Sequence, residues 1–153
     1  MSVEVTELQP AAALAIKMAA VSMEGISDIT TQGYARLMGY LAEQGCQIAG
    51  APYLAYSNGN EDFSQFDIEL GVPVSHPVAV RDDLFMSQTY EGKAIVTMYK
   101  GAYKDIESAY TALMEYAAEH SLEMTGVYYD YYISNPADTP ESELLTQVVF
   151  PIR

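Results

Sequence analysis

The chain has no tryptophan, a single cysteine, two histidines and only seven Lys or Arg residues among 153. Each shortage removes a class of function. With Cys46 alone, no internal disulfide can form, which fits a reducing compartment. His76 and His120 have no neighbouring ligands at metal-binding spacing, so neither a metal site nor another cofactor is expected. No Gly-rich phosphate loop ends in Lys-Ser or Lys-Thr, and there is no Gly-x-Ser-x-Gly elbow, so no catalytic residue is assigned. The longest apolar run, residues 11–16, stops at Lys17, far short of the roughly 20 residues that span a bilayer. The opening Met-Ser-Val-Glu lacks a basic region followed by an apolar stretch, so no signal peptide is expected. Together these features predict a cytoplasmic protein with no membrane partner.

What the chain does have is acid. Twenty-one Asp or Glu residues give a formal net charge of −14. Such a polyanion repels phosphate backbones, which argues against direct nucleic-acid binding. The same field concentrates small cations at the surface. Half of the residues are hydrophobic, enough for an ordinary core in one domain spanning residues 1–153.

Pattern and punctuation predict the elements. Val3–Leu8 alternates as a half-buried strand, and residues 13–23 form a second apolar stretch. Asp28 is placed to cap a helix over 29–44, with Tyr34, Leu37, Met38 and Leu41 on its apolar face and Gly45 as its stop. Strands are expected at 50–56 and 63–72 around a turn at 57–60. A polar segment, 75–83, reads as a linker. Strands at 84–90 and 93–99 flank a turn at Glu91-Gly92. A helix over 104–120 buries Ile106, Tyr110, Leu113, Met114 and Ala117, with His120 at its negative pole. Strands at 127–135 and 145–150 complete the chain. Two consecutive stretches, 1–74 and 84–153, thus read strand, strand, helix, strand, strand. They align without gaps over their middle portion. Gly25 falls on Gly101, Tyr34 on Tyr110, Leu37-Met38 on Leu113-Met114, Tyr40 on Tyr116, Gly50 on Gly126, and Tyr53 and Tyr56 on Tyr129 and Tyr132. The sequence is an internal duplication. Two such halves are expected to pack about a pseudo-two-fold axis, with a cleft between them as the natural binding place.

The strand over 127–135 carries the most chemistry. Alternation places Tyr128, Asp130 and Tyr132 on one face and Tyr129, Tyr131 and Ile133 on the other. A carboxylate framed by two aromatic rings suits an organic cation, which gains Coulomb attraction and contact with the rings' negative faces. The bland alternative is a solvent-facing strand with tyrosines lying on the sheet. By the repeat, Tyr56 is the counterpart of Tyr132, and Leu54 stands where Asp130 stands in the second copy. Met98 is a candidate for a pliable wall, as is Met114, and Glu69 for a second negative charge. Cys46 has no local base in sequence and reads as structural.

The second half reads Lys100-Gly101-Ala102-Tyr103, then a helix, Gly126, Asp130-Tyr-Tyr132-Ile-Ser-Asn135-Pro136, and finally Thr146 and Pro151. This resembles the GyrI-like small-molecule-binding domain, also called the AraC-type effector-binding domain. That family shows a Lys/His-Gly-Pro-Tyr turn, a Glu-x-Tyr strand ending in Asn/Asp-Pro, and a Thr-Glu-x-x-x-Pro strand. The resemblance implies an α+β fold of duplicated β-β-α-β-β halves (SHS2-like), with a curved antiparallel sheet and two long helices. It implies binding of lipophilic cations between the halves, with Asp130 in the position of the family's glutamate and about 1.5 Å shorter in reach. Tyr132 matches the family tyrosine two residues on, and Tyr103 that of the turn. No helix-turn-helix is expected, since the duplicated domain occupies the sequence, so the module reads as stand-alone.

The expected function is therefore non-enzymatic binding of amphipathic organic cations, for sensing on behalf of a separate regulator or for sequestration. Candidate ligand-binding residues are Asp130, Tyr128, Tyr132, Tyr56, Tyr103, Met98 and Glu69. One alternative is an interaction module of the DNA gyrase inhibitor type meeting a basic protein partner. Another is a hydrolase of cyclopropanoid compounds, as in some relatives; the lack of tryptophan and the Asp at position 130 count against it.

Overall fold

The computed structural model describes residues 2–22, 24–60 and 64–153. The expected end of the second apolar stretch at Met23 and start of the fourth strand at Phe63 lie outside them. The element order is β1 (Val3–Leu8), β2 (Ala12–Ser22), α1 (Ile26–Glu43), β3 (Tyr53–Ser57) and β4 (Gln65–Pro73), then β5 (Phe85–Gln88), β6 (Gly92–Lys100), α2 (Glu107–Glu119), β7 (Tyr128–Tyr132) and β8 (Leu145–Pro151). Strand, strand, helix, strand, strand occurs twice, as the duplication requires. The fold is α+β, and among the described residues the strands β1-β6-β8-β7 and β3-β4-β2-β5 pair antiparallel. Among the described residues no helix is long and apolar enough to cross a membrane.

Pairing departs from two consecutive halves. The turn at Glu91-Gly92 does not close a hairpin. Instead β5 pairs with β2, and β6 pairs with β1 and β8. The first strand of each repeat thus joins the second strand of the other, and the chain forms two compact units. One, the α1 unit, is Gln9–Tyr90, with strands in the order β3-β4-β2-β5. The other, the α2 unit, is Met1–Leu8 with Glu91–Arg153, in the order β1-β6-β8-β7. Local pattern shows which residues are strands, but partner choice is set by cross-strand packing, which a linear reading does not contain. Segment 75–83, expected as a linker between halves, belongs to the α1 unit and is strapped to its helix. Tyr40 donates its hydroxyl to the Ala79 carbonyl, Arg81 pairs with Glu43 at 3.0 Å and lies over the Tyr40 ring, and Arg36 pairs with Asp83.

Each helix covers one face of its sheet. α1 buries Gly33, Leu37, Tyr40 and Leu41, and a Cβ at Gly33 would meet Leu70 Cδ2 of β4 at 2.6 Å, so glycine there lets helix and sheet approach without moving the leucine. Asp28 lies in the first turn of α1 rather than capping it; Gly25 is the cap residue. α2 buries the stripe Ala109, Leu113 and Ala117 against Ile95, Val148 and Phe150. Met114 is one residue off that stripe, which turns it about 100° away, and it is exposed rather than buried as expected. A 3-10 turn, Tyr103–Asp105, replaces the first turn anticipated for this helix.

Candidate ligand-binding site

In the α2 unit, register fixes which side chains share a face. Asp130 lies opposite Val148, and Tyr132 opposite Thr146. Val148 belongs to the core beneath α2, so Asp130, Tyr128 and Tyr132 all face the helix. Asp130 is only 2% exposed. Its Oδ2 accepts a hydrogen bond from the Tyr110 hydroxyl of α2 at 2.7 Å. The Tyr128 ring packs on Phe150 with centroids 4.7 Å apart, and Tyr110 stacks on the same ring at 5.9 Å. Tyr103 meets Tyr132 edge to face at 5.5 Å. One buried carboxylate is thus bonded by a helix tyrosine and flanked on its own strand by two more, the outer of which meets Tyr103 of the turn.

The turn that carries Tyr103 is fixed by its neighbours. Gly101 has φ +144°, and a Cβ there would sit 2.9 Å from the Tyr99 hydroxyl. That hydroxyl donates to the Ala102 carbonyl at 2.7 Å and holds the chain as it enters the turn. Burial pushes the Tyr103 phenol above its usual pKa of 10.0, so the ring stays neutral at ordinary pH.

The remaining candidates lie elsewhere. Met98 is opposite Gln147 and next to Tyr99, on the face of the sheet away from α2 and Asp130. It is 47% exposed and lines a shallow hollow of about 290 Å³ with Ser2, Glu4, Val96, Thr97 and Gln147. Tyr56 and Glu69 belong to the α1 unit and lie on opposite faces of its sheet. Tyr56 is paired with Ile68 and meets Phe66 edge to face at 5.3 Å on the helix side. Glu69 is paired with Ala55 on the other side. There Glu69 Oε2 accepts from the Tyr53 hydroxyl at 2.5 Å and from Ser87 Oγ at 2.8 Å. Tyr53 reaches it because its ring crosses Gly71, where a Cβ would lie 2.1 Å from the ring.

Two partners were not anticipated. Tyr110 reads in sequence as core packing, yet its hydroxyl is the donor to Asp130. Its repeat mate Tyr34 likewise reaches over to its own strand, donating to the Tyr53 carbonyl at 2.5 Å. His76 is thirty residues from Cys46 in sequence but brings Nδ1 to 4.0 Å from Sγ. The thiol also donates toward the carbonyls of His76 and Gln47, at 3.6 and 3.7 Å. His120 stacks on Tyr116 and donates to that residue's carbonyl at the helix end. Among the described residues no three His, Cys, Asp or Glu side chains are placed to hold a metal ion.

A family model for the GyrI-like small-molecule-binding domain matches residues 7–153. The chain belongs to the GyrI-like family. Solved structures agree on the fold. The EcmrR C-terminal domain is 14% identical, with a TM-score of 0.80, covering 99% of this chain and 97% of that one. In an EcmrR–DNA complex the likeness has a TM-score of 0.83 at 14% identity, covering 99% of this chain and 57% of that one, so the GyrI-like chain spans little more than half of that protein. A hydrolase encoded by lin2189 from Listeria innocua has a TM-score of 0.67 at 11% identity, covering 99% and 91%. SAV2435 bound to tetraphenylphosphonium has a TM-score of 0.67 at 12% identity, covering 100% and 94%. At these identities the likeness concerns the fold alone. No curated protein sequence matches the chain significantly.

Proposed function

We propose that this GyrI-like domain binds lipophilic organic cations, with Asp130 as the charged pole and Tyr103, Tyr110, Tyr128 and Tyr132 as the aromatic surround. The observation that carries the reading is the contrast between repeats. At the position of Asp130 the α1 unit has Leu54, 1% exposed and packed on the helix side. The fold therefore does not need an acid there. A buried carboxylate is costly, and a costly group that its own repeat replaces with leucine points to a task other than folding. Tyrosine faces and a carboxylate together recognise a large, weakly hydrated cation. The family's small-molecule binding and the tetraphenylphosphonium complex of SAV2435 support the same class of ligand. The relation to EcmrR supports a role in sensing for a regulator.

Fluorescence titration with a cationic dye and a neutral dye of the same shape tests this. The cationic dye should bind and the neutral one should not. Asp130→Asn should weaken the cationic dye by about 2–5 kcal/mol, the range for removing one partner of a desolvated charge pair. Equal binding of the two dyes, or an Asp130→Asn protein that binds like wild type, contradicts the reading.

A second reading, hydrolysis, is favoured by the hydrolase neighbour from Listeria innocua. Asp130, positioned by Tyr110, would be its acid–base group. A cyclopropane-bearing substrate left unchanged by concentrated protein excludes it.

A further inference from the structure

Thr146 is fully buried, and its hydroxyl has no hydrogen-bond partner among the described residues. Buried hydroxyls are nearly always bonded, so an unmet one marks a place where a partner is missing. A second buried threonine in this unit shows the ordinary case: Thr97 donates to the Ser2 carbonyl at 2.7 Å.

The place of Thr146 is informative. It lies directly opposite Tyr132 on β7 and Tyr99 on β6, and such partners have Cβ atoms about 4.5–5.5 Å apart on one face. Asp130 is the next helix-facing residue along β7, at the diagonal spacing of about 7–8 Å. Hydroxyl and carboxylate are thus diagonal neighbours on the helix-facing side, both adjacent to Tyr132, which meets Tyr103 edge to face at the partly exposed end. The duplication supplies a comparison here too. Tyr56 of the α1 unit, the counterpart of Tyr132, is paired with Ile68, which is 2% exposed. At two neighbouring positions the α1 unit has leucine and isoleucine where the α2 unit has aspartate and threonine. The α2 unit has acquired a carboxylate and a hydroxyl together.

We propose that Thr146 determines specificity, selecting cations that carry N–H groups: protonated amines with an aromatic or aliphatic body. This rests on the cation-binding reading above. A secondary ammonium has two N–H donors, one for Asp130 and one for Thr146 Oγ1. A quaternary ammonium or a phosphonium satisfies the charge and leaves the hydroxyl unmet in a site closed to water. Loss of a hydrogen bond that a buried site was built to make discriminates more sharply than added apolar contact does.

The test uses a matched pair of equal charge, dibenzylammonium and dimethyldibenzylammonium, titrated by calorimetry near pH 7, where both are cationic. Wild type should bind the secondary ammonium about tenfold or more tightly than the quaternary one. Thr146→Val, nearly isosteric, should erase that preference by weakening the secondary ammonium alone, and Thr146→Ser should retain it. Asp130→Asn should weaken both. Equal wild-type affinities overturn the proposal while leaving cation binding intact, as does a Thr146→Val protein that weakens both ligands alike or a Thr146→Ser protein that loses the preference. Binding of neither cation to folded wild-type protein removes the cation-binding reading, and this inference with it.

Discussion

Asp130 and Leu54 occupy equivalent positions in the two repeats, and both are almost fully buried. On the proposed reading, the pair separates what the fold needs from what a ligand needs. If Asp130 is retained for binding, replacing it and its donor by apolar groups should relieve the fold. Exchanging both partners of a buried polar pair for apolar groups of similar shape is neutral or stabilising. The double variant Asp130→Leu with Tyr110→Phe is expected to be as stable as wild type or up to about 2 kcal/mol more stable in urea unfolding, while losing cation binding. A loss of more than about 1 kcal/mol would assign the pair a structural role instead. Tyr103 offers a second check. Tyr103→Ala removes one aromatic face, which should weaken a bound cation by about 0.5–2 kcal/mol with little effect on unfolding, because the ring is partly exposed. Asp130 with its flanking tyrosines was legible in the sequence, because strand alternation sorts side chains by face. The bond from Tyr110 and the unbonded hydroxyl of Thr146 were not. Helical periodicity identifies Tyr110 as inward-facing but cannot show where its hydroxyl ends, and the motif that contains Thr146 says nothing of what its oxygen bonds.

Among the elements, β2 carries an irregularity that the pattern did not show. Its register against β4 shifts between Met18 and Val21, and Ala20 there has φ 53°. The Ala20 amide donates to Asp67 Oδ1 at 3.0 Å, and Asn58 Nδ2 donates to Oδ2 at 2.9 Å. These two donors, Asn58 first, hold the Asp67 carboxyl below its ordinary pKa of 3.8. A depressed carboxyl contributes stability above its unfolded pKa and loses it as pH falls through the folded one. Asp67→Ala should therefore lower Tm near neutral pH, and the gap to wild type should narrow as pH falls below 3.8; a gap independent of pH would contradict this. Left-handed alanine costs about 1 kcal/mol relative to glycine, so Ala20→Gly should raise stability by about that amount in urea unfolding. Strand identities and the doubled element order followed from alternation and repeat. The exchange of β1 and β5 did not, because β1 alternates in the same way whichever strand it pairs with, and nothing in Glu91-Gly92 distinguishes a hairpin turn from a crossing.

Over the whole molecule, the proposed reading gives the acidic charge a part in a cation's approach. The formal net charge is −14, and Arg36, Arg81 and Arg153 are tied to carboxylates. A field of this sign speeds the arrival of cations and is screened by salt. Association rates for a cationic dye should fall several-fold between about 20 and 500 mM salt, while dissociation rates, set by the enclosed carboxylate and rings, change little. A rate of association indifferent to salt would mean that the acidic surface plays no part in capture. The central claim concerns one carboxylate and its tyrosines, and a crystal structure of the protein with tetraphenylphosphonium tests it most directly. The phosphonium should lie within about 6 Å of the Asp130 carboxylate, with its phenyl groups against Tyr103 and Tyr132. A cation bound elsewhere, with Asp130 still enclosed by its tyrosines, would contradict the account.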